Sequence, residues 1–168
     1  METLSKMKPA FKKDGTVTAG NASGINDGAA FVVLAGADAA ANAGHKALAR
    51  IVSYAIAGVP HEIMGEGPIP ASKLALKKAG LTIDQMDVIE SNEAFAAQAI
   101  AVNKGLCLDP AKTNPNGGAI ALGHPVGCSG AFIATKAVYE LQRTAGKYAL
   151  VTMCIGGGQG IAVIFERI

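Results

Sequence analysis

The stretch YALVTMCIGGGQGIAVIF, residues 148–165, decides the fold class. Two runs rich in aliphatic and β-branched residues, 148–153 and 161–165, flank the glycine-rich loop CIGGGQG at 154–160. Such runs favour β-strands, and the short glycine-rich connection favours an antiparallel hairpin. The sequence therefore predicts an antiparallel hairpin at one side of a sheet.

Apolar patterns before the hairpin alternate between strand and helix. Pro68 near the start of one helical pattern and Gly80 just after it predict a helix between them. The predicted elements are strands at 47–56, 86–90 and 119–122 and helices at 68–80, 93–104 and 128–144. With the hairpin they give the order β-α-β-α-β-α-β-β, which predicts an α/β fold with a mostly parallel sheet and helices on its faces.

The first 46 residues are less regular. Residues 1–28 are polar and rich in glycine and show neither a helical nor a strand period. The apolar run 29–35 predicts a buried strand, and residues 38–43 predict a short helix that Gly44 closes.

Composition limits the classes of function. Half of the 168 residues are hydrophobic and 17% are charged, which is typical of one globular domain. The net charge of +2 is too small to indicate nucleic-acid binding, and no apolar run reaches the roughly 18 residues of a membrane span. Three cysteines without a CxxC pair indicate neither a disulfide framework nor a zinc site. We therefore expect a cytoplasmic protein with no metal, nucleic-acid partner or membrane anchor.

The glycine-rich loop of the hairpin is a candidate catalytic site. Cys154 stands at a strand end beside consecutive glycines, whose backbone N–H groups can converge on a thiolate or a developing oxyanion. A glycine turn beside an inert buried cysteine is the structural alternative, and the pattern alone leaves both open. A dinucleotide-binding loop is disfavoured, because such a loop opens a helix and these glycines lead into a strand.

A histidine loop is the second candidate. It comprises NPNGG, residues 114–118, and GHPVGCSG, residues 123–130. The proline after His124 restricts the chain there, and an imidazole held in this way can donate to an oxyanion or act as a general base. A structural hydrogen bond is the alternative. His45 and His61 lie in ordinary connecting segments and are interpreted as surface residues.

Two other segments supply polar groups. In SNEAFAAQ, residues 91–98, Ser91 or Asn92 can cap a helix. Alternatively, Asn92 can point into the cleft at the carboxyl end of a strand, where open α/β sheets bind ligands. Glu93 is expected to brace this loop. The segment GTVTAGNASGINDG, residues 15–28, is either an ordinary loop or the wall of a narrow channel for an extended polar ligand.

Five segments together resemble, in order, the C-terminal signatures of the thiolase family. They are TVTAGNASGINDGAA (16–30), MGEGPIPA (64–71), NEAFAAQ (92–98), NPNGGAIALGHPVGCSGA (114–131) and CIGGGQGIA (154–162). Thiolases condense two acetyl-CoA molecules to acetoacetyl-CoA, or cleave 3-ketoacyl-CoA with free CoA. The family fold packs two βαβαβαββ halves into a layered αβαβα core.

The resemblance implies a division of the chain. Residues 47–168 would be the second half, the thiolase C-terminal domain. Residues 1–46 would be the end of the CoA-binding loop region followed by a returning piece of the first half. No cofactor is implied, because CoA thioesters are the substrates.

The matched motifs also imply roles for individual residues. His124 resembles the histidine that activates the nucleophilic cysteine and helps to hold a thioester oxygen, and Cys154 resembles the acid/base cysteine. Asn92 is similar to the asparagine that positions a water in one oxyanion hole, and Gly156 to a backbone N–H donor of the other. The implied contacts to CoA, its pantetheine and the acyl group are Phe11, Ala19, Ser23, Met64, Ala94 and Phe95.

The family's acyl-carrying cysteine has no counterpart, because its motif belongs to the first half. Cys128 stands where the family has a packing residue, and Cys107 lies in a helix–loop segment, so neither is predicted to replace it. Without a covalent nucleophile the chain is expected to be inactive alone. The missing half is expected to leave an apolar face uncovered. The implied partners are CoA thioesters and either further copies of the chain or a chain that supplies the first half.

Two alternatives stay open. The first is a non-catalytic module that associates with itself or complements a separate first half. The second is another condensing enzyme such as a ketoacyl synthase. The sequence disfavours it, because those enzymes use a second histidine and a Phe-Gly-rich loop where this chain has Cys154 and three glycines.

Overall fold

One four-stranded sheet organises the computed structural model, which describes residues 2–168. The strands are β1 (Ala49–Gly58), β2 (Val88–Ser91), β3 (Tyr148–Gly156) and β4 (Gln159–Arg167). The helices are α1 (Glu2–Ser5), α2 (Ala37–Asn42), α3 (Pro68–Ala79), α4 (Ala96–Leu106), α5 (Ala119–Leu122) and α6 (Ser129–Thr144). Short 3-10 segments lie at His61–Glu66, which has a kink at Ile63, and at Ile83–Gln85. The α/β fold predicted from the sequence is confirmed.

The strand order is β1-β4-β3-β2. β2 and β3 pair in parallel, whereas β4 is antiparallel to both of its neighbours. Three of the four strands therefore run in the same direction, as predicted, although only one ladder is parallel. The predicted hairpin of β3 and β4 is confirmed, but its placement at one side of the sheet is wrong. β1 pairs with the outer edge of β4 along its length and so puts the hairpin in the middle.

The hairpin turn depends on glycine. Gly156, Gly157 and Gly158 all have positive φ, which side-chain-bearing residues rarely adopt. A Cβ on Gly158 would also collide with the carbonyl oxygen of Val59. The same Gly158 accepts a 2.7 Å hydrogen bond from the Val59 N–H, so the turn is fixed against the end of β1.

Helices cover the two faces of the sheet unequally. α3 and α4 pack on one face, around Ala75, Val102 and Leu150. α6 packs on the other face over β2 and β3, because Ile133, Ala137 and Leu141 recur at helical spacing and are all buried. No helix within residues 2–168 covers the same face over β1, so Tyr54 is 63% exposed and Ile56 is 54% exposed. The expected uncovered apolar face is therefore present on this part of the sheet.

Two predicted strands are wrong. Residues 119–122 form the helical turn α5, in which the Leu122 N–H donates to the Gly118 carbonyl. A short apolar run occurs both in buried strands and in helical turns, so its composition alone does not distinguish them. Next to β2 there is instead a single parallel bridge between Ile89 and Thr113. Residues 29–35 belong to no strand, because no other segment of residues 2–168 pairs with them. The predicted short helix after them is confirmed as α2, and the remaining predicted elements are confirmed to within a few residues.

Candidate active site

The carboxyl ends of β2 and β3 meet at one edge of the sheet. Asn92 directly follows β2, and its backbone N–H donates a 3.0 Å hydrogen bond to the carbonyl of Thr152 in β3. Cys154 lies two residues farther along β3. The parallel pairing thus brings two of the predicted site residues to the edge at which open α/β sheets bind ligands.

The side chains of Asn92 and His124 are in contact. Asn92 Nδ2 lies 3.3 Å from His124 Nε2, and His124 Nδ1 lies 2.6 Å from Ser129 Oγ. The Ser129 hydroxyl donates to the Pro125 carbonyl, so it accepts a hydrogen bond from Nδ1–H. Nε2 then carries the lone pair that accepts from the Asn92 amide. Burial lowers the pKa of His124, which also favours this neutral imidazole.

The backbone of His124 is held by the polar loop near the N-terminus. Its N–H lies 3.2 Å from the Gly24 carbonyl oxygen and 3.1 Å from Asn26 Oδ1. Ile25 forms a parallel bridge with the same residue. The loop at residues 15–28 therefore forms part of the support for the histidine.

A network of polar side chains fixes the loop that leads to His124. The Asn114 amide accepts from the Ser91 N–H and donates to the Ser91 carbonyl, each at 2.9 Å. Glu93 accepts from Asn114 Nδ2 at 3.2 Å and from the Ile120 N–H at 3.2 Å. Glu93 thus braces the loop, as the sequence suggested.

The same loop is anchored from α6 by a buried charge pair. Lys136 Nζ lies 2.9 Å from Glu90 Oε2 and donates to the Gly117 carbonyl at 2.6 Å. Glu90 is 1% exposed, and burial raises the pKa of its carboxyl group while Lys136 opposes that rise. The other oxygen, Oε1, has no hydrogen-bond partner, and Glu90 lines a small cavity with room for about one water.

Cys154 is a buried thiol. It is 9% exposed, and burial raises the pKa of its thiol. A shift of register separates it from Gly156, whose φ is 96°. A bulge of this kind turns the backbone away from the ladder and re-aims the groups beside it. Burial thus favours the protonated thiol of Cys154 over its thiolate.

Four of the six residues proposed to contact CoA lie together. The N–H and Oγ of Ser23 each donate to the Ala94 carbonyl at 3.0 Å. The rings of Phe11 and Phe95 meet edge to face with centroids 6.0 Å apart. Ala19 lies in the turn at 18–21, and Met64 lies in the 3-10 segment His61–Glu66.

Several functional contacts were missed by the sequence analysis. Ser129, Asn26, Glu90 and Lys136 were not singled out as site residues. Ser129 stands five residues after His124 in the first turn of α6, and that spacing was the available signal. Lys136 and Glu90 gave no such signal in the sequence, because lysine and glutamate side chains are ordinarily exposed.

Metal centres and membrane-spanning helices are not found among the described residues. Across residues 2–168, no three His, Cys, Asp or Glu side chains come together as metal ligands would. No helix in the same range combines the length and apolar character needed to cross a bilayer. All three cysteines are free thiols.

Comparison with known proteins assigns both parts of the chain to one family. The family description "Thiolase, C-terminal domain" matches residues 45–167, and "Thiolase, N-terminal domain" matches residues 1–38. The beta-ketothiolase BktB of Cupriavidus necator is 62% identical over 169 residues, which is 100% of this chain and 43% of that protein. The human mitochondrial 3-ketoacyl-CoA thiolase is 58% identical over 166 residues, covering 99% of this chain and 42% of that protein.

Solved structures agree with this assignment and confirm the predicted thiolase half. The acetyl-CoA acetyltransferase of Bacillus anthracis superposes with a TM-score of 0.96 at 48% identity. The human mitochondrial 3-ketoacyl-CoA thiolase in complex with CoA superposes with a TM-score of 0.91 at 52% identity. Both matches cover 99% of this chain and 42% of the solved one. The chain therefore belongs to the thiolase family and spans a little over two fifths of the length of the relatives it matches.

Proposed function

We propose that this chain supplies the proton-transfer and thioester-binding part of a thiolase active site. The reaction is the condensation of two acetyl-CoA molecules to acetoacetyl-CoA or its reversal, the thiolysis of a 3-ketoacyl-CoA. The observation that carries the proposal is the contact between Asn92 and His124 at the sheet edge where β3 presents Cys154.

The proposed chemistry of His124 follows from its neutral state. With the proton on Nδ1, its Nε2 can take the proton of a thiol nucleophile. Once it is protonated, Nε2–H can donate to a thioester oxygen beside the Asn92 amide. Ser129 keeps the ring in the required tautomer. Asn92 is proposed to place a water at the same oxygen, as the resemblance implies.

The proposed chemistry of Cys154 follows from its protonated thiol. In thiolysis, the nucleophilic cysteine attacks the 3-keto carbon, the bond between C2 and C3 breaks, and its electron pair passes to the acetyl-CoA carbanion. Cys154 gives its proton to that carbon. Its thiolate then takes the proton of free CoA, whose sulfur attacks the acyl-enzyme. The bond from the acyl carbon to the nucleophilic cysteine breaks, acyl-CoA leaves, and the cysteine recovers its proton from His124. The backbone N–H of Gly156 is proposed to stabilise the oxyanion.

The proposed CoA site lies beside this edge. Phe11, Ala19 and Ser23 would contact CoA, and Met64, Ala94 and Phe95 would line its pantetheine and acyl pocket. The contacts of Ser23 with Ala94 and of Phe11 with Phe95 support this arrangement. The solved human relative bound to CoA supports the class of ligand. The proposal requires no other cofactor and keeps a cytoplasmic location as a prediction.

The nucleophilic cysteine is proposed to come from thiolase sequence outside these 168 residues. The chain covers 43% of the Cupriavidus relative, and only residues 1–38 match the family's N-terminal domain. Alone, the chain is therefore expected to be inactive. The exposed apolar residues Tyr54 and Ile56 also fit a self-associating module without catalysis, which is the second candidate.

Thiolysis of acetoacetyl-CoA tests the proposal. The chain is assayed alone and after co-expression with the part of the Cupriavidus relative that it does not cover. We expect activity only with the added part, lost in His124→Ala and retained in the matched control His61→Ala, whose side chain is exposed. Activity of the chain alone, abolished by Cys128→Ser, would contradict the proposed source of the nucleophile. Inactivity in both arrangements, with a defined oligomer in solution, would favour the self-associating module.

A further inference from the structure

Lys136 is a buried lysine that the proposed chemistry does not use. It lies in the middle of α6, and its side chain is only 14% exposed. Its Nζ lies 2.9 Å from Glu90 Oε2 and 2.6 Å from the Gly117 carbonyl oxygen. Glu90 stands on β2 two residues before Asn92, and Gly117 belongs to the loop that leads through α5 to His124. One ammonium group therefore joins the two segments that carry the site.

The same face of α6 holds the site at two further points. Ser129 in the first turn contacts His124 Nδ1 at 2.6 Å. Lys136 follows about two turns later. Glu140 comes one turn after Lys136 and accepts from Asn116 Nδ2 at 2.8 Å. Residues at this spacing share one face of a helix, so α6 fixes both the imidazole ring and the loop before it.

The contact between Asn92 and His124 leaves little tolerance for displacement. Asn92 Nδ2 and His124 Nε2 are 3.3 Å apart, whereas hydrogen bonds from N–H groups to oxygen usually span about 2.7–3.2 Å. The two residues are 32 positions apart, so their separation depends on contacts between β2 and the loop. Asn114 ties the start of that loop to β2, and Lys136 ties the part nearest α5. A shift of either segment would therefore weaken the contact.

A gain in stability accounts poorly for the buried pair of Glu90 and Lys136. The cost of taking both charges out of water offsets their attraction, so apolar residues of similar volume are often equally stabilising. The cost is raised here by Glu90 Oε1, which is buried and has no partner among residues 2–168. What the pair does provide is a defined geometry, because Nζ donates at once to a side chain of β2 and to the backbone of the loop.

We propose that Lys136 is a positioning residue for the thiolase reaction. By holding Glu90 and the Gly117 carbonyl at fixed places, it sets the alignment of Asn92 and His124 on a thioester oxygen. The inference rests on the proposed function for the reaction, and it adds to that site a residue that touches no substrate.

Steady-state thiolysis separates positioning from folding. The chain is co-expressed with the part of the Cupriavidus relative that it does not cover. Lys136→Met is expected to lower kcat about ten- to a hundredfold, because small misplacements near a reacting centre have effects of this size. The KM for CoA is expected to stay within about twofold, since the proposed CoA contacts lie on other segments.

Lys112→Met is the matched control. Lys112 Nζ donates to the carbonyls of Asp84 and Met86, near the opposite end of β2, at 3.2 and 3.0 Å. Losing these bonds is expected to lower the melting temperature but to leave kcat unchanged. Equal losses of kcat in Lys112→Met and Lys136→Met would overturn the inference.

A double variant keeps the test decisive if Lys136→Met does not fold. Glu90→Leu combined with Lys136→Met leaves no charge buried without a partner, so it is expected to be more stable than Lys136→Met alone. It still lacks the group that joins β2 to the loop, so its kcat is expected to stay about tenfold or more below that of the unsubstituted chain. Recovery of kcat together with stability would overturn the inference.

NMR of the chain alone tests the geometry without any activity. The side-chain amide resonances of Asn92 and the Nε2 resonance of His124 are expected to shift in both Lys136 variants, because their hydrogen bond weakens, and to stay unchanged in Lys112→Met. Unchanged resonances in the Lys136 variants would overturn the inference whatever the kinetics show. Absence of thiolysis from the unsubstituted assembly would instead contradict the proposed function, and the NMR comparison would still decide the inference.

Discussion

The buried pair of Glu90 and Lys136 gives the sharpest stability prediction. Lys136→Met keeps most of the side-chain volume but removes Nζ, which contacts Glu90 Oε2 at 2.9 Å and the Gly117 carbonyl at 2.6 Å. Glu90 is 1% exposed and its other oxygen already has no partner. Removing one member of such a pair costs about 3–5 kcal/mol, because the remaining charge is buried and unpaired.

The partner substitution is expected to cost less. Glu90→Gln leaves Lys136, whose side chain is 14% exposed, still bonded to Gly117 and able to reach water. We expect a loss of about 1–3 kcal/mol for this change. In the double variant no charge is left buried without a partner, so its loss should be smaller than that of Lys136→Met alone. Urea denaturation at pH 7 measures all three free energies of unfolding in one double-mutant cycle.

The cost of Lys136→Met should also depend on pH. Burial already raises the pKa of Glu90 above its ordinary value of 4.5, so the folded state holds this proton more tightly than the unfolded state does. Stability then falls as pH rises from the unfolded pKa through the folded one. Removing Lys136 raises the folded pKa further. The loss caused by Lys136→Met is therefore expected to be smaller below pH 4.5 than at pH 7.

Two results would refute this reasoning. The first is a loss below about 1 kcal/mol for Lys136→Met at pH 7, which would mean that the pair is effectively solvated. The second is a double variant whose loss equals the sum of the two single losses, which would mean that the two groups do not interact.

Three further predictions concern the site and the hairpin. Nitrogen NMR of the imidazole should show His124 with its proton on Nδ1 and a pKa below 6.5. Ser129→Ala should weaken that tautomer preference and lower thiolysis by the assembled enzyme about tenfold. A spectrum that Ser129→Ala leaves unchanged would contradict the role assigned to Ser129. Gly158→Ala should lower the free energy of unfolding by more than Gly156→Ala, because both residues have positive φ but only Gly158 lies against other backbone atoms. Equal losses in urea denaturation would contradict this, since they would mean that the backbone shifts to remove the clash with the Val59 carbonyl. The Cys154 thiol should react with iodoacetamide much more slowly than an exposed cysteine at pH 7, and faster as pH rises. Mass spectrometry of the labelled peptide measures this rate. Rapid labelling of Cys154 at pH 7 would indicate a reactive thiolate and contradict the prediction.

The general fold was predictable because it depends on local patterns. The apolar stripe of α6 and the glycine turn between β3 and β4 are visible in short windows of sequence. The AIAL run at 119–122 was predicted wrongly, because four apolar residues do not distinguish a strand from a helical turn. Hydrogen bonds to the Gly118 carbonyl decide that case, and the contact between Glu93 and Asn114 that holds the loop is not visible in a short window of sequence.

The candidate site was predicted mainly through the family resemblance. Asn92 and His124 are separated by 32 positions, and no local pattern indicates that their side chains meet. The pairing of Glu90 with Lys136 is 46 positions apart and joins two residue types that ordinarily face water. Such contacts depend on how β2, the loop after it and α6 pack together, and that information is not local.

The double anchoring of the loop at residues 114–118 has a consequence for assembly. It is held from β2 through Asn114, and from α6 through Lys136 on Gly117 and Glu140 on Asn116. The conformational entropy of placing His124 is therefore lost when the chain folds, before any partner arrives. Binding that requires no ordering at the contact retains more of its interaction energy. The histidine side of the site is in this sense preorganised.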